Sequence, residues 1–402
     1  MLVRLVDTAE FQRLRRVRQL GLAAFAYQGA EHSRFSHSLG VLHLATRILE
    51  KFGRKYQISD FDAVTIRAAA LLHDIGHGAF SHVMESVLGF HHEDFTVAAL
   101  LSKKTEVGQI LRSYHPELPE RVSSVIRGQF KPAALAQLVS SQLDADRMDY
   151  LLRDSLMTGA KYGVYDLEWI IKMLEIDAAN DRIYVSAHGL FAVEDYLQAR
   201  YYMFRQVYFH RTLRSAEVVL RALLDRALEL FEAGKRVWFA PGTAFEKILR
   251  REKLSLREHL ELDDSDIVFH VKQWQHSEDP ILADLARRFT NRRLFKALDL
   301  DMPTDRRAEF LSEGRKIIES AGLPTQYYFV EDRAGEASYC PLNSPQAKPN
   351  SGIYVEDGFS RPVIREISEV STAAHSLMQG FVAHRVCFPY EFLDQINKIY
   401  RQ

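Results

Sequence analysis

The chain has 402 residues, 47% of them hydrophobic and 26% charged, with a net charge of -1 at pH 7. That composition belongs to a soluble globular protein long enough for one large domain plus a smaller appendage, and its neutral balance excludes a globally basic nucleic-acid or membrane-surface binder. Two cysteines, Cys340 and Cys387, are too few and too far apart for a disulfide framework or zinc knuckle and fit a reducing cytoplasm.

The first segment, "MLVRLVDTAEFQRLRRVRQLG", carries charges every few residues, so it reads as neither signal peptide nor anchor. No uncharged apolar run elsewhere approaches the roughly 18 residues that span a bilayer. Within "RLRRVRQLG", Leu14, Val17 and Leu20 keep helical spacing, which predicts arginines on a solvated face instead of a phosphate track. From residue 8 to about 300 apolar positions recur three and four apart, as in "HSLGVLHLATRILEKF" and "SAEVVLRALLDRALELFEAG", and predict stacked amphipathic helices.

In "EHSRFSHSLGVLHLA" His37 opens such a helix, with Arg34 three residues before it on the same side. His43 falls on the opposite face and reads as structural or exposed, and His32 reads as a loop residue. Next, "AALLHDIGHGAFSH" places His73 beside Asp74 after an apolar run and adds His77 and His82. Burying such groups without a partner costs several kcal/mol each, so they need a shared compensating partner, and a cation is one. Neighbouring helical side chains diverge, so His73 and Asp74 meet one ion only at the edge of a face and the other ligands must come from other helices. In "SSQLDADRMDYLLRDSL", Asp146, Tyr150 and Asp154 form one polar stripe that needs a polar cavity to face.

After about residue 320 the texture changes. "TQYYFVED", "SGIYVEDG" and "RPVIREIS" read as strands, "CPLNSPQAKPNSG" as a loop and "VCFPYEFLDQINKIYRQ" as a closing helix. The expected division is a mainly α body over 1–300 and a small α+β part over 301–402.

The order "RFSHSLGV", "LLHDIGHGAFSH", "LDADRMDYLLRD" resembles the HD-domain phosphohydrolases, and more narrowly the deoxynucleoside triphosphate triphosphohydrolases. "DTAEFQRLRRVRQLG" and "NRRLFKAL" also match family segments, so the resemblance spans about the first 300 residues. It implies a helical HD-domain bundle with His37, His73, Asp74 and Asp146 as ligands of one divalent ion, chosen from Fe, Mn, Ni, Zn and Mg. It makes Glu85 and His92 a catalytic relay, with His77 and His82 beside the phosphates. Arg34 and Arg147 would neutralise the triphosphate. Gln19, Leu20, Tyr150 and Asp154 would hold the deoxyribose, with Tyr150 gating against a 2′-hydroxyl, and Arg200, Tyr208 and His210 would supply further phosphate and base contacts. Asp7, Gln12 and Arg15 match a regulatory site for GTP or dGTP, which in relatives an upstream β segment helps build between subunits. The resemblance further implies a homo-oligomer, dimer or tetramer.

Two departures stand out: Ser36 where the family often has glutamate, and Arg147 where it often has lysine. Other readings are a different HD phosphohydrolase activity, phosphomonoesterase or phosphodiesterase, and a non-catalytic nucleotide or single-strand nucleic-acid binding module. The Gly-Tyr-Pro extension of the cyclic-dinucleotide enzymes does not follow this motif.

Overall fold

The computed structural model describes residues 1–89, 91–340, 352–358 and 362–401, without the side chains of His82, Ser86 and Leu88. Nearly all of the expected loop "CPLNSPQAKPNSG" lies outside the described residues. Helices dominate, as the apolar spacing predicts. Those that matter for the site are α1 (Arg34–Gly53), α2 (Asp60–Leu72), α3 (Ser81–Leu88), α4 (His92–Leu101), α5 (Ala145–Thr158), α6 (Leu190–Met203), α7 (Arg211–Glu232), α8 (Leu256–Glu261) and α9 (Asp264–Trp274).

Their ends follow from local chemistry. The Ser59 hydroxyl accepts the Asp62 N–H at the start of α2, and Asp60 and Asp62 complement its dipole. The Asp144 carboxylate accepts the Arg147 N–H at the start of α5, which ends at Gly159 with φ 75°. Helix α1 buries the stripe Val41, Leu44, Ala45, Ile48, Leu49 and Phe52 and packs on both α2 and α5. Gly40 lets α5 approach, because a Cβ there would lie 1.9 Å from Asp149 Oδ1.

Among the described residues two small sheets complete the fold. Strands β1 (Leu174–Asp177), β2 (Arg182–Val185), β5 (Tyr354–Asp357) and β6 (Val363–Glu366) run in the order β1-β2-β5-β6, and β2 meets β5 in parallel at Val185 and Val355. Strands β3 (Lys296–Asp299), β4 (Val330–Glu336) and β7 (Phe381–Phe388) form an antiparallel sheet with β7 central. "SGIYVEDG" and "RPVIREIS" contain strands as expected, whereas "TQYYFVED" splits into a helical turn, Thr325–Tyr328, and the start of β4. The closing helix begins only at Leu393, because "VCF" belongs to β7. The β1-β2 hairpin interrupts the expected helical run; four-residue strands are too short to show a period of their own.

The apolar interior forms two clusters. One joins α1, α2, α4, α5 and α6 to Tyr339, Ile353, Val355 and Ile367. The other joins α7 and α9 to Phe310, Val386, Phe388 and Ile396. The loop from α2 to α3 passes between them, with Ile75 in the first and Ala79 and Phe80 in the second. Among the described residues no helix is long and apolar enough to cross a membrane.

Candidate metal centre

The His-Asp pair sits where α2 runs out. His73 caps that helix, and its Nδ1 lies 2.9 Å from the Ala70 carbonyl, which can only accept, so Nδ1 carries the proton. In the neutral ring Nε2 is therefore the bare nitrogen. It is buried without a hydrogen bond among the described residues, yet faces Asp74 Oδ1 at 3.3 Å and Asp146 Oδ1 at 3.5 Å. A lone pair opposite two carboxylate oxygens is repulsive unless a cation stands among them.

Helix α1 delivers His37 to the same point, and α5 delivers Asp146. His37 Nε2 is 2.9 Å from Asp146 Oδ1 and 3.9 Å from Asp74 Oδ2. Its Nδ1 is 2.8 Å from Asp149 Oδ2, and Arg153 fixes that carboxylate through Nε at 2.7 Å and Nη2 at 2.8 Å. Donor atoms of His37, His73 and Asp74 all lie within 4.8 Å of one another. The three helices thus converge two carboxylates, Asp74 and Asp146, and two imidazoles on one spot, with Asp149 behind His37.

The electrostatics show the same demand for positive charge. Burial opposes a proton on His37, but hydrogen bonds to Asp146 and Asp149 outweigh it and raise its pKa to about 10. His73 is raised against burial by Asp74 and Asp146. Asp74 stays well below the usual carboxylate range despite burial, because His73, Arg34 and His77 surround it. Either protons or a metal ion can supply that charge, and the His and carboxylate donors suit a transition-metal or similar divalent ion.

Around this spot stand the other predicted residues. Arg34 Nη1 donates to Asp74 Oδ2 at 2.7 Å, and its Nε is buried without a partner among the described residues. His77 faces Asp74 Oδ1 at 3.3 Å; burial, followed by Arg34, pushes its pKa well below the ordinary value, so it is neutral. The His77 and His92 rings stack with centroids 3.7 Å apart, and His92 Nδ1 lies 3.0 Å from Glu85 Oε1. The His82 side chain lies outside the described residues. Arg147 sits 3.8 Å from Asp144.

One turn further along α5, Tyr150 lies 6.5 Å from His37 and 6.2 Å from Tyr208, ring to ring. Tyr208 donates to Asp154 Oδ2 at 2.9 Å, so the stripe does face a polar cluster. His32 completes it, with Nε2 2.7 Å from Asp154 Oδ1. The reading of His32 as a loop residue missed this burial. Gln19 and Leu20 are half-buried, and Gln19 Oε1 has no hydrogen-bond partner among the described residues. Arg200 is also tied away from the cluster, Nη1 donating to the Ser338 carbonyl at 2.8 Å and Nη2 lying 3.5 Å from Glu336, while its charge still acts on Tyr150 and Tyr208. His210 caps α7 and meets Tyr27 edge-on at 5.4 Å. Gln12 and Arg15 join through a 2.8 Å hydrogen bond, Arg15 covers the Phe35 ring at 3.6 Å, and Asp7 is exposed.

Two further residues went unread in the sequence. Asp149 was signalled by its place three residues after Asp146 and four before Arg153. Arg13, expected on a solvated face, is 1% exposed, because its guanidinium donates to the carbonyls of Leu262 (2.7 Å), Ile75 (2.9 Å) and His77 (2.6 Å).

The HD domain family matches residues 34–154, a span that opens on Arg34 and closes on Asp154. The protein YwfO of Bacillus subtilis is 43% identical over 391 residues, covering 97% of this chain and 88% of that protein. The chain belongs to the HD-domain family. HD domains bind a divalent metal, and the bare His73 nitrogen among carboxylates fits one. A phosphohydrolase from Bacteroides thetaiotaomicron superposes with a TM-score of 0.82 at 29% identity, over 96% of this chain and 95% of that one. The Dictyostelium discoideum protein called deoxynucleoside triphosphate triphosphohydrolase SAMHD1 homolog is 32% identical over 231 residues, 54% of this chain and 44% of that protein. This HD-domain chain spans about half the length of the SAMHD1 proteins it matches.

Proposed function

We propose that this HD-domain protein is a metal-dependent deoxynucleoside triphosphate triphosphohydrolase that releases a deoxynucleoside and inorganic triphosphate. The observation that carries the reading is the convergence of His37, His73, Asp74 and Asp146 beside the buried Arg34 and neutral His77. The likeness to the SAMHD1 proteins supports the substrate class.

In this reading His37, His73, Asp74 and Asp146 hold one divalent ion. When bound, it supplies Lewis acidity at a phosphoryl oxygen and a lowered pKa for water. Arg34 sets positive charge beside that point, and Arg147 adds to it along the triphosphate. Water's oxygen joins the α-phosphorus, the bond from phosphorus to the 5′-oxygen breaks, and the 5′-oxygen takes a proton. His92, its Nδ1 anchored on Glu85, moves that proton through Nε2; His77 flanks the phosphates, a role the resemblance also gives to His82. Asp154, held by His32 and Tyr208, receives the deoxyribose with Gln19 and Leu20. Tyr150 closes the sugar pocket to a 2′-hydroxyl. Arg200 and His210 bound the base side, and Asp7, Gln12 and Arg15 take a guanine-nucleotide activator between subunits of a homo-oligomer.

The test incubates the purified chain with each deoxynucleoside triphosphate and each of Fe, Mn, Ni, Zn and Mg, alone and with GTP or dGTP. Inorganic triphosphate on anion exchange, absent with His73→Ala, is the expected product. Orthophosphate, pyrophosphate or binding without turnover overturns the reading.

A further inference from the structure

The loop that carries Asp74 and His77 is held from outside the span the HD family matches. His259, on α8, places its Nε2 2.7 Å from the Gly76 carbonyl. A carbonyl only accepts, so Nε2 carries the proton and donates. The ring is 1% exposed; burial lowers its pKa to about 4, which keeps it neutral. The same ring stacks on Phe95 with centroids 3.6 Å apart and planes 5° from parallel. Phe95 lies on α4, the helix that begins at His92.

One imidazole therefore grips both elements whose histidines face each other in the site. Through Gly76 it holds the loop of His77, and through Phe95 it holds the helix of His92. Between these two grips the loop and α4 touch: the Gly76 N–H donates to Thr96 Oγ1 at 3.0 Å, and a Cβ on Gly76 would lie 2.3 Å from the His92 carbonyl oxygen. The neighbouring turn reinforces the hold. Asp264 Oδ1 accepts the Phe80 N–H at 2.9 Å, and Phe80 sits at φ 39°, a left-handed conformation that a bulky residue keeps only under constraint.

We propose that His259 is a positioning residue that sets the spacing of the His77–His92 stack by fastening the 75–80 loop and α4 to a common ring. It acts through the Gly76 carbonyl and the Phe95 ring. The catalytic part of this statement rests on the triphosphohydrolase reading, and the conformational part stands without it.

The test uses the full-length, metal-loaded chain. His259→Phe keeps the ring on Phe95 and removes the donor to Gly76, and His259→Gln returns an N–H. With His259→Phe, amide exchange in residues 75–80 is expected to quicken about fivefold to tenfold while α1 stays unchanged. Under the proposed activity kcat falls about 10- to 100-fold with KM within about twofold, and His259→Gln recovers most of both effects. Unchanged exchange in residues 75–80, or a His259→Gln variant as impaired as His259→Phe, overturns the proposal. If the wild-type chain releases no triphosphate, the exchange readout still decides the positioning claim. Should His259→Phe fail to fold, Phe95→Leu carries the test: it is expected to quicken exchange in α4, and exchange equal to wild type overturns the proposal.

Discussion

Asp149 makes no approach to the carboxylates of the centre, yet Asp149→Asn is expected to weaken metal binding. In the native protein Asp149 Oδ2 accepts from His37 Nδ1 at 2.8 Å and from Arg153 Nε at 2.7 Å, while Oδ1 accepts from Arg153 Nη2 at 2.8 Å. An asparagine has one carbonyl oxygen, and the Arg153 fork has only donors, so Arg153 keeps the oxygen and the amide NH2 turns to His37. Nδ1 must then accept, and the ring proton moves to Nε2, the nitrogen that points at Asp146. Losing the residue that fixes a ligand's tautomer typically costs about 10- to 100-fold in metal affinity, or about 1.4 to 2.8 kcal/mol. The assay strips the protein with a chelator and titrates metal back in competition with a fluorescent chelator, with ring 15N shifts reporting the His37 tautomer. Affinity within about twofold of wild type, with an unchanged tautomer, refutes the reasoning.

Three further outcomes are expected. Gly40→Ala puts a methyl 1.9 Å from Asp149 Oδ1 and 2.3 Å from Arg153 Nη2, so α5 must shift off α1. The loss is about 1–3 kcal/mol in urea unfolding, and an unchanged midpoint would count against the packing argument. In metal-free protein His37 has its pKa raised from 6.5 to about 10. A raised pKa stabilises fully below the unfolded value and is lost as pH rises through the folded one, so this contribution fades between about pH 6.5 and 10. Because metal displaces that proton, metal affinity should climb over the same window; a flat affinity profile would contradict it. Arg13→Met leaves the carbonyls of Ile75, His77 and Leu262 without their donor, and calorimetry should show a loss of roughly 3–5 kcal/mol. A loss under about 1 kcal/mol would show that water or a neighbour replaces the guanidinium.

The helical body and the His73-Asp74 pair were legible because both are written locally. Apolar residues three and four apart give α1, α2 and α5, and the adjacent His73 and Asp74 are too costly in an apolar run to lack a partner. That His37 and Asp146 would join them came from the order of motifs and not from spacing. What stayed hidden depends on contacts distant in sequence. Arg13 reaches Leu262 across 249 positions, and nothing around Arg13 distinguishes it from the solvated Arg16, which is 54% exposed. His32 pairs with Asp154 across 122 positions. Strand β5 reads as a strand, but its pairing with β2 instead of β4 is set by the register Val185 to Val355, which no local pattern encodes.

The two kinds of information meet in the 75–80 loop. His77 in it belongs to the motif, but the loop's shape does not follow from the motif. Phe80 takes a left-handed φ of 39°, a cost of order 1–3 kcal/mol that something must offset. The offset comes from beyond residue 250: the Asp264 carboxylate on the Phe80 N–H, the His259 ring on the Gly76 carbonyl, and the Leu262 carbonyl shared with Ile75 and His77 through Arg13. The loop also crosses from one apolar cluster to the other, so neither cluster alone fixes it. A fragment ending with the motif at residue 154 would keep all four proposed ligands and lose these anchors. Its metal affinity should therefore fall although no ligand is missing.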